Sequence, residues 1–108
     1  MAEYDLPMTS LSFLTNHAVV LLCMANDPQM RLRDIAAVVG VTERATHRIV
    51  SELAEAGYIT RRRQGSRNHY EVHPDRPFRH PFRDDYRVGE LLSVLLKKPR
   101  RKPASEQV

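Results

Sequence analysis

The sequence predicts a mainly helical α+β domain made of four helices and one β-hairpin. Three observations carry this. Apolar residues recur at helical spacing in four separate stretches, as in helices with one face turned to a core. One stretch, 58–73, instead alternates around a glycine, as two strands joined by a turn do. The chain has 108 residues, 42% of them apolar, which suits one average domain able to bury a core. Aromatics make up only 6% and tryptophan is absent, so that core must be mostly Leu, Ile, Val and Ala.

Residues 1–10 carry little pattern and read as an N-terminal arm before a domain spanning 11–96. The first helix is expected from near Thr15 to Ala25. Leu14, Ala18, Leu21, Leu22 and Ala25 fall at helical spacing, and Val19, Val20, Cys23 and Met24 make it apolar nearly all round. Such a helix belongs at the centre of the domain or against a second subunit. Asn26-Asp27-Pro28 stops it. The second helix covers about Arg33 to Val39, with Leu32, Ile35, Ala36 and Val39 on its apolar face and no Ser, Thr, Asp or Asn cap. Gly40 permits a turn with positive φ, and Val41 follows as a buried plug. Thr42 caps the third helix, and Glu43 suits its positive end. That helix runs to about Ala56 and ends at Gly57. Thr46, Ile49, Val50 and Leu53 form its inner face; Arg44, His47, Arg48, Ser51 and Glu55 lie on the opposite arc.

The hairpin has an extended Tyr58–Arg63, a turn over Gln64–Asn68 marked by Gly65, and a second strand over His69–His73. Residues 74–83 hold three prolines and cannot be helical; Phe78 and Phe82 are expected to pin this loop to the core. A C-terminal helix is expected over 84–96, with Val88, Leu91, Leu92 and Leu95 in one stripe. Gly89 costs it about 1 kcal/mol against Ala. Residues 97–108 read as a basic disordered tail.

The net charge of +4 is unevenly placed. Residues 1–30 carry −3, residues 58–73 carry +3 and residues 97–108 carry +4, while the remaining segments are neutral. Cations concentrated in two short pieces suit a polyanionic partner. A lone cysteine, Cys23, forms no internal disulfide, so a reducing, cytoplasmic setting is expected; it reads as a small core residue, with a redox-sensing thiol as the alternative. The apolar run Ala18–Ala25 is too short to span a membrane. No metal site is expected, because the histidines lack thiolate partners at CxC or CxxC spacing. No cofactor and no enzymatic activity are expected either: there is no phosphate-binding Gly loop and no nucleophile placed with a base.

A short turn at Gly40 between two short amphipathic helices is the helix-turn-helix signal. From Arg33 to Ile59 the chain resembles the winged helix-turn-helix transcriptional regulators of the broad MarR and ArsR type. Ala36, Gly40, Val41 and Thr42 match the turn, and Leu53, Gly57, Tyr58 and Ile59 match the end of the third helix and the entry to the wing. The likeness extends over about residues 11–73, more loosely over the last helix, and is nearest to the compact regulators of actinobacteria. Two positions depart from the pattern: Thr46 stands where Val or Ile is usual, implying looser packing, and Glu43 stands where a basic or neutral residue is common.

The resemblance implies a winged helix-turn-helix with a two-stranded β-hairpin wing and a C-terminal dimerisation helix. It implies a homodimer joined through Val88, Leu91, Leu92 and Leu95. Double-stranded DNA is the expected partner, with Thr42, Arg44, His47, Arg48 and Ser51 in the major groove and Arg61, Arg63, Ser66, Arg67 and Asn68 of the wing at phosphates. Arg suits guanine because its fork meets O6 and N7 together. Arg67 is the preferred wing-tip residue. A small-molecule effector of unknown identity is left open, with a cavity between the first and last helices as its place. The protein would act in the cytoplasm, associated with the nucleoid. The alternative is a winged helix used as a protein-interaction or assembly module without specific DNA binding.

Overall fold

A computed structural model describes residues 13–78, 82 and 85–96. The N-terminal arm, the basic tail and most of the loop beyond Phe78 lie outside the described residues. The elements run α1 (Asn16–Asn26), α2 (Leu32–Val39), α3 (Glu43–Glu55), β1 (Ile59–Gln64), β2 (Arg67–Val72) and α4 (Val88–Leu96).

Helix α1 starts where Thr15 Oγ1 accepts the Ala18 N–H at 3.1 Å. Its all-round apolar surface has a simple cause: it packs against α2, α3, α4 and β2 together. Val20 and Met24 are fully buried. Helix α2 has no side-chain cap, so packing of Ile35 and Ala36 into the core has to hold it. It ends at Gly40, whose φ of +88° is a left-handed conformation that a side chain would strain. The N–H groups of Gly40 and Val41 both donate to the Ala36 carbonyl, at 2.8 and 3.2 Å. That tight reversal places Thr42 to start α3, its Oγ1 accepting the Ala45 N–H at 3.0 Å. Val41 is half-buried, a plug only in part.

Helix α3 buries Thr46, Ile49, Val50 and Leu53, the face its periodicity assigns. Thr46 is fully buried. Its hydroxyl donates to the Thr42 carbonyl at 3.0 Å, so the buried oxygen leaves no unmet hydrogen bond. At the other end, Arg76 Nη2 donates to the Ala56 carbonyl at 3.2 Å, putting a cation at the negative end of the helix.

Strands β1 and β2 pair antiparallel from Ile59↔Val72 to Gln64↔Arg67. The second strand begins two residues earlier than the sequence suggests. A two-residue Gly65-Ser66 turn, with Gly65 at φ +64°, is enough to reverse the chain, so Arg67 and Asn68 belong to the ladder. On its other side β2 is held by Tyr70 N–H donating to the Pro28 carbonyl at 2.8 Å.

Helix α4 begins at Val88, not at 84 or 85. The reason is long-range. Phe78 N–H donates to the Tyr86 carbonyl at 3.2 Å and Val88 N–H to the Arg76 carbonyl at 2.8 Å, around a bridge between Pro77 and Arg87. Backbone engaged in extended pairing is not free to coil. The helix then opens with Glu90 Oε1 accepting the Arg87 N–H at 2.8 Å, the returning half of a capping box. Gly89 lies against Pro74: a Cβ there would come within 2.8 Å of Pro74 Cβ. Phe78 stacks on Tyr86 with centroids 6.3 Å apart and packs on the core. Phe82 is 89% exposed and does not pin the loop.

Val88 and Leu92 turn into the chain's own core. The expected interface stripe is therefore corrected: these two residues are used within the subunit, Leu91 is half-buried, and Val94, Leu95 and Leu96 remain outward. Among the described residues, four helices with one hairpin after the helix-turn-helix make a winged helix-turn-helix fold.

Candidate nucleic-acid interface

The outward arc of α3 carries Arg44, His47, Arg48 and Ser51, all exposed. None of the four makes a side-chain hydrogen bond or ion pair with another described residue. Arg44 and Arg48 stand one turn apart, about 6 Å along the axis. That rise is close to two base steps of B-DNA at about 3.4 Å each. Thr42, exposed at the helix start, has its Oγ1 engaged by the cap. Of the acids on α3, Glu52 is paired: His17 Nε2 donates to its carboxylate at 2.7 Å. This link between α1 and α3 crosses 35 residues of sequence, and no local pattern announces it.

The register of the hairpin puts Arg61 and Arg63 on one face with Tyr70 and Asn68, and Arg62 on the other. Arg62 Nη2 is held at 3.0 Å by the Glu71 carboxylate. Arg63 Nε donates to the Gly65 carbonyl at 3.2 Å, curling over its own turn. Arg61 has no partner among the described residues. Ser66 is exposed at the tip. Asn68 is half-buried, its Nδ2 3.5 Å from the Tyr70 hydroxyl.

Arg67 differs from expectation. It stands beside the turn, opposite Gln64, but its guanidinium is not free. Its Nη2 donates to the Gln29 carbonyl at 2.7 Å, tying the hairpin to the α1–α2 connection. The structure thus gathers Ser66, Arg67 and Asn68 with Gln29 and Arg31 around a cleft of about 290 Å³. Arg31, at the start of α2, was missed from sequence, since only its place beside the wing gives it interest. The α3 side chains form a separate group on their own helix.

A second cavity, of about 350 Å³, lies between α1 and α4 and reaches Leu53 at the end of α3. Cys23 is far from an exposed thiol: it is buried, and burial pushes its pKa up. Among the described residues no three His, Cys, Asp or Glu side chains gather to hold a metal ion. No helix among them is long and apolar enough to cross a membrane.

No curated protein matches the chain. Residues 19–60, from within α1 through α3 to the start of β1, match the family model of winged helix-turn-helix DNA-binding domains. With the fold, this match makes residues 19–60 similar to winged helix-turn-helix DNA-binding domains.

Proposed function

We propose that the protein is a sequence-specific transcriptional regulator of double-stranded DNA, acting as a homodimeric repressor on an inverted repeat. The observation that carries this reading is the pair Arg44 and Arg48, exposed one turn apart on α3 with no partner among the described residues. Helix α3 enters the major groove, where every base pair differs in its donors and acceptors. Arg44 and Arg48 read bases; Thr42, His47 and Ser51 flank them. In the wing, Arg61, Arg63 and Ser66 meet phosphates, while Arg67 and Asn68 hold the hairpin in place.

The dimer rests on α4. Leu91, Val94, Leu95 and Leu96 leave apolar surface outward, and a second copy would cover it. Two subunits then address half-sites about one helical turn apart. Occupancy blocks polymerase. The chain resembles MarR- and ArsR-type regulators of the compact actinobacterial kind, and would work in the cytoplasm on the nucleoid. An effector would bind in the α1–α4 cavity.

The test is selection of binding sites from random duplex DNA, followed by titration at two salt concentrations with unlabelled competitor. A two-fold symmetric motif, bound in a salt-sensitive way and lost by the Arg44→Ala/Arg48→Ala double variant, supports the reading. A double variant that binds the selected site as tightly as the wild type removes α3 from it. Absence of any binding at low salt would instead favour a protein-interaction module.

A further inference from the structure

The tip of the wing carries an uncommitted nucleophile. Ser66 is exposed in the two-residue turn, and its hydroxyl has no partner among the described residues. Arg61, Arg62 and Arg63 precede it by five, four and three positions, and Arg67 follows it. Arg61–Gln64 is already extended strand. The Gln64↔Arg67 pair alone closes the ladder at the turn, so little has to open for the tip to enter another protein's cleft as an extended segment. Such a cationic segment complements an acidic substrate cleft. Ser51 also stands three positions after an arginine, Arg48, but it lies inside α3, where helical pairing denies it that shape.

A separate observation concerns what lies beside Ser66. The cleft of about 290 Å³ that it shares with Gln29, Arg31, Arg67 and Asn68 is lined by no carboxylate among the described residues. Arg31 has no partner among them. Arg67 uses one N–H on the Gln29 carbonyl and keeps the rest of its fork. Guanidinium forks match the oxygens of a phosphate. We propose that Ser66 is a phosphorylation site for an arginine-directed Ser/Thr protein kinase, and that the phosphoryl group it receives lodges against Arg31 and Arg67. In the transfer the kinase's base takes the hydroxyl proton and Ser66 Oγ bonds to the γ-phosphorus of ATP. The bond from that phosphorus to the bridging oxygen breaks, and ADP leaves. The new group carries about −2 charge, so residues 58–73 pass from +3 to about +1. A wing that attracts DNA phosphates then presents one of its own. The inference rests on the DNA-binding reading above and gives it a control.

The experiment treats the full chain with the catalytic subunit of cAMP-dependent protein kinase and ATP. A Ser105→Ala background is used, because Arg100, Arg101 and Lys102 give Ser105 a similar frame. Tandem mass spectrometry of the folded chain should map the phosphate to Ser66 and not to Ser51, and Arg63→Ala should slow the reaction about ten-fold or more. Phosphorus NMR then places the group: its resonance should titrate about one pH unit lower than in denaturant, and Arg31→Ala should remove most of that difference. Affinity for a selected duplex should fall about ten-fold or more on modification. Four results would overturn the inference: no phosphate at Ser66, a resonance that titrates as in denaturant, one that Arg31→Ala leaves unmoved in a folded chain, or unchanged DNA affinity after modification. The mapping and the DNA titration need no Arg31 variant and stand if that variant fails to fold. An unmodified chain that binds no DNA defeats the DNA-binding reading instead, while the mapping and the resonance still report on Ser66.

Discussion

At the residue scale the same residue type does different work according to its partners. Arg44 and Arg48 have no intrachain partner among the described residues, so truncating either should remove base discrimination without unfolding the domain. Each change to Ala is expected to cost about 1–3 kcal/mol of discrimination, measured by competing the selected site against single-base variants. Arg67 is committed to Gln29, and Arg67→Ala should weaken all sequences alike. Gly89 gives a prediction of opposite sign to helix propensity. Alanine would gain about 1 kcal/mol in an open helix, but here its Cβ meets Pro74 at 2.8 Å. Gly89→Ala is therefore expected to lower the urea midpoint. Cys23 offers a pH test. Its thiol titrates higher in the folded than in the unfolded chain because burial disfavours the thiolate. The stability this confers is full below the unfolded value and is lost as pH rises through the folded one. Cys23→Ser should thus flatten the alkaline fall in stability. At neutral pH, iodoacetamide should label native Cys23 far more slowly than the thiol in denaturant.

At the element scale, what was legible was local. The inner face of α3, the Thr42 cap and the turn at Gly40 follow from residues within a few positions of one another, and the structure places all of them where the spacing does. Thr42→Ala is expected to cost about 1 kcal/mol, read as a shift in thermal midpoint, because Oγ1 supplies the first turn with an acceptor. What was not legible was set at a distance. The start of α4 depends on pairing between residues 76–78 and 86–88, which no helical period records. Arg67 adjoins the turn, but the partner that holds its guanidinium stands 38 positions away. The apolar stripe of α4 gave its residues but not their allegiance: periodicity marks a buried face without saying which subunit buries it. Among the side chains proposed to face DNA, the α3 set comes from one helical wheel. The wing set was not, since register decides which arginines share a face.

At the scale of the whole molecule, α4 both closes the subunit through Val88 and Leu92 and leaves Val94, Leu95 and Leu96 outward. The dimer reading therefore has a clean test. Leu95→Glu, at a position 43% exposed, should leave the folded subunit intact and shift sedimentation from dimer to monomer. Affinity for a two-half-site duplex should then fall toward that for a single half-site. A variant that sediments unchanged would place the subunit contact elsewhere. The pairing that delays α4 has a further effect. Because hydrogen bonds join Phe78 to Tyr86 and Arg76 to Val88, the two ends of the span between 78 and 86 are clamped together. Lengthening a loop whose ends are already fixed costs only about 0.6 kcal/mol per doubling. That span is where foreign sequence, a fluorescent reporter or a split-enzyme fragment, can be spliced into the protein.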